Sequence, residues 1–166
     1  MFLFSLTMSY AQNNKFIPPD WRQTEKTLSV SVVLPALQID SIFMENLNTV
    51  LFDKNDRFMN RIIFNPDSKY RHFDIRFEKK DSLNYWIVVE LSDTPTRRSK
   101  GFFENNGFFY WFGGEVPPNI ILETKSKRRF SYKEVQIIFG IYDPILWYLM
   151  YNSETGSIEV KGEDFY

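Results

Sequence analysis

The feature that most constrains this chain is the stretch GFFENNGFFYWFGG, which occupies residues 101 to 114 and contains seven aromatic residues. At its centre is Asn106-Gly107, the preferred pair for a two-residue type I′ turn, because both central positions of that turn need a positive φ. Aromatic side chains favour strands on either side of such a turn. The stretch is therefore predicted to be a β-hairpin in which Asn105 lies opposite Phe108.

This register assigns each ring to one face of the hairpin, because directly opposed residues point to the same side. One face holds Phe103, Phe108, Tyr110 and Phe112. The other, called the Trp111 face below, holds Phe102, Glu104, Phe109 and Trp111. Neither face is polar, so the Trp111 face needs a cover. The candidates are the chain's own helix or C-terminal segment, another subunit or protein, and a small ligand such as a sugar. We take the Trp111 face as the predicted ligand- or partner-binding surface.

The first half of the chain contains a strand and a helix by pattern. The alternating run from Thr27 to Leu34 predicts a strand that ends at Pro35. Asp40 is a good N-cap for a helix from Ser41 to Phe52. Four apolar residues fall on one stripe of that helix, at i, i+4, i+7 and i+8: Phe43, Leu47, Val50 and Leu51.

From Tyr70 onward the apolar period changes to two, which is typical of strands. The runs YRHFDIRFE and NYWIVVELS are predicted to pair as a hairpin, and WYLMYNSETGSIEVK as a terminal hairpin. NIILE and residues 135–142 predict two further strands, although residues 132–139 are also compatible with a helix. A basic segment between those two strands is expected to be a solvated loop, as is the one before the aromatic hairpin. These segments contain Lys125, Lys127, Arg128 and Arg129, and Arg97, Arg98 and Lys100.

The order strand, helix and then a meander of strands predicts an α+β domain over residues 12–166, with one main helix packed on a curved, mostly antiparallel sheet. This order is similar to that of cystatin-like and nuclear-transport-factor-like folds. The resemblance concerns the order of elements alone, and no family motif accompanies it.

Composition excludes several classes of site. The 166 residues contain no cysteine and a single histidine, His72, which excludes disulfides, thiol nucleophiles and multi-histidine metal centres within one chain. The formal net charge of −1 provides no overall field for nucleic acid or an anionic membrane. No cofactor, metal or nucleic-acid partner is therefore expected.

The N-terminal segment MFLFSLTMSYAQNN begins with a short apolar run followed by small residues at Ser9 and Ala11. Those positions fit a signal-peptide cleavage site after residue 11. The predicted location is periplasmic or secreted. The alternative is that this segment is a first strand of a cytoplasmic protein, since no Lys or Arg precedes the apolar run. No later stretch approaches the roughly 20 apolar residues of a membrane-spanning helix.

One grouping in the sequence could support acid–base chemistry: His72, Asp74, Arg76 and Glu78 lie on the same side of a predicted strand. Amphipathicity alone demands the same alternation, so we interpret them as the solvated face of that strand. Motifs of serine hydrolases, P-loops and dinucleotide-binding folds are absent.

The sequence therefore predicts an exported, non-catalytic binding protein whose partner is a protein or a second copy rather than a small molecule. One alternative is a small hydrolase of cell-envelope or glycan material that uses His72 and neighbouring carboxylates. Another is an inhibitor or immunity-type protein.

Overall fold

The computed structural model describes residues 25–53, 62, 65, 68–96, 98–137 and 145–164. The predicted signal peptide, residues 1–11, lies outside the described residues.

The described chain contains eight strands and one helix with defined bounds. In chain order they are β1 (Glu25–Ile39), α1 (Ser41–Leu51), β2 (His72–Lys79), β3 (Asn84–Ser92), β4 (Gly101–Asn105), β5 (Phe108–Gly114), β6 (Ile121–Ile137), β7 (Ile145–Asn152) and β8 (Ile158–Asp164). The strands form one sheet in the order β6-β1-β4-β5-β2-β3-β7-β8.

The sheet is mixed rather than a meander. The pairs β2–β3, β3–β7, β7–β8 and β4–β5 are antiparallel. The hairpin β4–β5, however, does not follow β3 in space. It lies between β1 and β2. Its strand β4 pairs in parallel with β1, with Ala36 opposite Phe102, and its strand β5 pairs in parallel with β2, with His72 opposite Phe109.

The predicted fold class was wrong. In place of an α+β domain with one main helix on a curved, mostly antiparallel sheet, the protein is mostly sheet, with one short helix and an eight-stranded mixed sheet. The predicted cystatin-like or nuclear-transport-factor-like arrangement is therefore also wrong. The error has a physical cause: periodicity shows that a segment is a strand, but it does not show which strand lies beside it.

The described chain divides into two compact units. Residues 30–132 and 145–164 belong to the larger unit. The outer ends of β1 and β6, residues 25–29 and 133–137, belong to the smaller one. The helix, the aromatic hairpin and His72 all lie within the larger unit.

Two strands are longer than predicted. β1 continues through Pro35 to Ile39, because the fixed φ of proline is compatible with an extended strand even though it lacks an N–H donor. β6 runs without interruption from Ile121 to Ile137. Its basic segment is therefore part of a strand rather than a loop, and the question of helix or strand for residues 132–137 is answered in favour of strand.

The main core lies between α1 and one face of the sheet. Asp40 begins the helix as its N-cap, since its carboxylate accepts a hydrogen bond from the Phe43 N–H at 2.8 Å. The helix buries Phe43, Met44, Leu47 and Leu51. These side chains pack on alternate residues of β2, β3, β5 and β7, including Phe73, Ile87, Phe112 and Leu149. The helix prediction is confirmed to within one residue.

The predicted hairpins are also confirmed. In the aromatic hairpin, Asn105 lies opposite Phe108 and Phe102 opposite Trp111. Both turn residues have positive φ, 51° at Asn106 and 78° at Gly107, as a type I′ turn requires. β2 pairs with β3 and β7 with β8, in agreement with the other two predicted hairpins.

Candidate functional site

The Trp111 face is largely internal. Trp111 is 0% exposed and Phe102 is 4% exposed, while Phe109 is half-buried. Glu104 is exposed, with 46% of its side chain accessible. The structure thus separates the four predicted contact residues into two buried rings and two accessible side chains at the hairpin tip.

The cover is Phe130 of β6 together with Leu34 of β1. The Phe130 ring meets Phe102 and Trp111 edge-on, at centroid distances of 4.8 and 4.9 Å, and Phe109 at 5.9 Å. This is a second hydrophobic cluster, on the side of the hairpin opposite to Tyr110 and Phe112. Its cover comes from the chain itself, but from neither the helix nor the C-terminal segment.

His72 lies against this second cluster. The parallel pairing of β2 with β5 places its ring stacked on Phe109 and Trp111, at centroid distances of 5.3 and 5.7 Å. The Trp111 indole Nε1–H donates a hydrogen bond of 3.0 Å to His72 Nδ1. Burial lowers the pKa of His72 to about 4, while nearby Asp93 opposes this shift. The imidazole is therefore neutral at physiological pH.

These contacts give His72 a packing role. Because Nδ1 accepts the Trp111 hydrogen bond, it is not available to take a proton from a substrate, and the neutral ring carries its proton on Nε2. A general base also needs a pKa near the working pH, whereas this one lies well below it. The geometry therefore offers no support for His72 as the base of a hydrolase.

Two other members of the predicted acid–base grouping, Asp74 and Arg76, form a separate ion-pair cluster with Glu90. Arg76 bridges two carboxylates, with Nη2 2.9 Å from Glu90 and Nε 3.4 Å from Asp74. Glu90 lies directly across the strand pair from Asp74. Burial raises the pKa of Asp74, an effect that the neighbouring guanidinium of Arg76 opposes. Glu78 is exposed. Arg76 joins the two carboxylates electrostatically, and His72 takes no part in these ion pairs.

The pKa of His72 predicts a pH dependence of stability. The unfolded chain binds this proton near pH 6.5 and the folded chain only near pH 4, so stability falls as the pH drops from about 6.5 to about 4. We expect a loss of about 2 kcal/mol, less than the full pKa difference implies because the ring is only half-buried. The raised pKa of Asp74 acts in the opposite direction.

Urea unfolding at a series of pH values between 7 and 4 measures this loss. His72→Gln is the matched variant, since its side-chain oxygen can still accept a hydrogen bond but does not titrate. The variant should show a smaller fall in stability than the wild type over the same interval. Equal slopes for the two proteins would refute the assignment to His72.

A feature that the sequence-based interpretation missed is the exposure of β6. Residues 122–129, LETKSKRR, are all exposed, so this segment of strand buries neither of its faces. Charged residues at both parities of the run were a signal for such a strand. Arg128 links it to the hairpin tip: its Nη1 lies 2.8 Å from Glu104 Oε2, and its guanidinium lies over the rings of Phe109 and Phe130.

No protein-family model matches the chain, and neither the curated proteins nor the solved structures compared with it show a significant match. Within the described residues, no group of three or more His, Asp or Glu side chains could hold a metal ion. The described part of the chain also contains no helix that is long and apolar enough to cross a membrane.

Proposed function

We propose that this protein is a non-catalytic binding protein, and that it engages a protein partner through the exposed segment of β6 and the adjoining hairpin tip. The β6 surface is defined as residues 122–129 together with Glu104 and Phe109. It retains the two members of the Trp111 face that are accessible, and it leaves out Trp111 and Phe102, whose rings are buried.

The observation that carries this proposal is the exposure of eight consecutive strand residues. A strand in a one-sided sheet normally buries every second side chain, which is the main source of its stability. The segment of β6 has no such stripe, and Leu122 is 56% exposed. A partner that covered the segment would supply the contacts that an ordinary strand finds in its own core.

The positive charge of this β6 segment favours a partner protein with an acidic surface. Residues 122–129 contain four cations and one acid. Arg128 is paired with Glu104, whereas Lys125, Lys127 and Arg129 have no ion pair within the described residues and are exposed, so they could meet carboxylates of a partner. Lysine on an edge strand also protects against aggregation, which accounts for the charge. It does not account for a half-buried ring, Phe109, held beside the same segment.

Cross-linking in the native host tests the proposal. A photoreactive phenylalanine analogue at Lys127 should form a discrete cross-linked species, whereas the same analogue at Glu154, an exposed turn residue distant in sequence, should not. The additional changes Lys125→Glu and Arg129→Glu should remove the product by reversing the charge of the surface. The proposal fails if Lys127 gives no product, or gives the same products as Glu154.

Export is part of the same proposal and rests on residues 1–11. N-terminal sequencing of the protein from its host should find a mature chain that begins at Gln12. A mature chain that begins at Met1 would refute export by cleavage after residue 11 and leave the β6 surface unaffected.

A further inference from the structure

We infer that the partner of the β6 surface is a second copy of this chain, whose strand β8 pairs with β6 in a head-to-tail contact. This inference rests on the proposed function and names the partner for that same surface. The inference is based on the two edge strands of the sheet, β6 and β8.

β6 and β8 are the first and last strands in the sheet order, so among the described residues neither has a strand on its outer side. An edge strand presents a row of backbone N–H and C=O groups that can pair with another strand. Strand addition at such an edge is a common mode of protein recognition, in which the main chain supplies affinity and the side chains supply specificity. A second copy of the chain would present both a β6 edge and a β8 edge for such pairing.

The charges of the two edges are complementary. The exposed segment of β6 has four cations and one acid, while β8, IEVKGED, has three acids and one lysine. A β6–β6 contact would oppose cations and a β8–β8 contact would oppose acids, and like charges directly across a strand pair are destabilising. The β6–β8 contact alone brings opposite charges together.

Each edge also carries an exposed apolar side chain. Leu122 of β6 is 56% exposed and Val160 of β8 is 42% exposed. Both are long aliphatic or β-branched residues that an added strand would cover, so the contact would combine charge with apolar burial. The charges determine which edges pair, and burial of these two side chains contributes to the affinity of the contact.

A contact between two different edges does not close on itself as a twofold dimer does. Head-to-tail pairing gives either a ring or an open series of copies. Association should therefore increase steadily with concentration rather than stop at two copies, and it should weaken with salt because the charged residues of the β6 segment and Glu159 of β8 are exposed.

A charge exchange between the edges tests this directly by sedimentation velocity on the full chain at low salt. One variant, Lys125→Glu with Lys127→Glu, makes both edges acidic. The other, Glu159→Lys with Glu163→Lys, makes both edges basic. We expect the wild type to associate with increasing concentration, each variant alone to remain monomeric, and an equimolar mixture of the two variants to associate again. Matching melting temperatures for all three proteins establish that the variants fold.

The inference is overturned if the wild type stays monomeric up to about 1 mM, since the paired strands and opposite charges should give a contact stronger than a Kd of that size. It is also overturned if either variant alone associates as the wild type does, or if the mixture stays monomeric. The outcome is distinct from failure of the proposed function. A cross-link from Lys127 to a different protein, without self-association, would refute the second copy as partner but support the β6 surface as a binding site. The absence of any Lys127 cross-link would refute the β6 surface itself.

Discussion

Replacement of Trp111 with alanine is expected to lower the free energy of unfolding by about 3–5 kcal/mol, the range found when large aromatic side chains are removed from a core. The indole is fully buried among Phe102, Phe109 and Phe130. Its removal leaves a cavity and deprives His72 Nδ1 of its hydrogen-bond donor. Urea unfolding followed by far-UV circular dichroism measures the change.

Trp86→Ala is the matched control, because Trp86 is the same residue type in the neighbouring part of the sheet but is exposed. We expect it to cost less, about 1–2 kcal/mol, since Trp86 is 37% exposed and a smaller share of its apolar surface is lost from a buried environment. Should Trp111→Ala prevent folding, Trp111→Phe keeps most of the ring volume and should cost about 1–3 kcal/mol. Equal costs for Trp111→Ala and Trp86→Ala would contradict an internal Trp111 face.

Gly114→Ala is expected to be the second large change, with a loss of about 2–5 kcal/mol. Gly114 has φ of 72°, and a Cβ atom there would overlap the Phe77 carbonyl oxygen. That oxygen also accepts the Glu115 N–H at 2.8 Å. Backbone atoms cannot swing aside as a flexible side chain can, so alanine would force the end of β5 away from β2.

Gly107→Ala separates the two causes of the expected loss at Gly114, which are the strain of a positive φ and the overlap of the added Cβ atom with β2. Gly107 has a similar φ of 78°, but a Cβ atom there would meet no atom within 4 Å. The substitution should therefore cost only the conformational strain, about 1–2 kcal/mol. Thermal unfolding of the two variants gives the comparison. If Gly114→Ala proved no worse than Gly107→Ala, the close approach of β5 to β2 at this point would be wrong.

The parts of the fold that could be predicted are those encoded over short distances along the chain. The Asn106-Gly107 pair determines its own turn, and the turn determines the register of the rings beside it. Asp40 and the apolar stripe after it likewise define α1 within a dozen residues. Each of these predictions depends on neighbours in sequence, where periodicity and turn chemistry are informative.

The parts that could not be predicted depend on contacts between distant segments. Nothing local indicates that the hairpin lies between β1 and β2, yet the resulting parallel pairing of β5 with β2 puts His72 beside Trp111. Phe130 covers the Trp111 face from a strand that begins seven residues after the hairpin ends, and its neighbours in sequence are all charged or polar. The two apolar faces of the hairpin indicated that the Trp111 face needs a cover, but the cover lies in a segment predicted to border a loop.

The candidate site was foreseen only in part. Glu104 and Phe109 remain available for contact, but the cations beside them were assigned to a solvated loop. Because loops and exposed strands are both polar, composition could not separate them. Polar residues at both parities of the run, without an apolar stripe, were the available signal for a strand with two open faces.

Hydrogen exchange of the Trp111 indole tests the central claim, that the chain itself encloses the Trp111 face, most directly. In NMR spectra of the protein transferred to D2O, the Trp111→Phe and Trp86→Phe variants assign the two indole N–H signals. Because the Trp111 Nε1–H is buried and hydrogen-bonded to His72, its signal should persist long after that of exposed Trp86 has vanished. Loss of the Trp111 signal as rapidly as that of Trp86 would show that the face is open to solvent and would contradict the account.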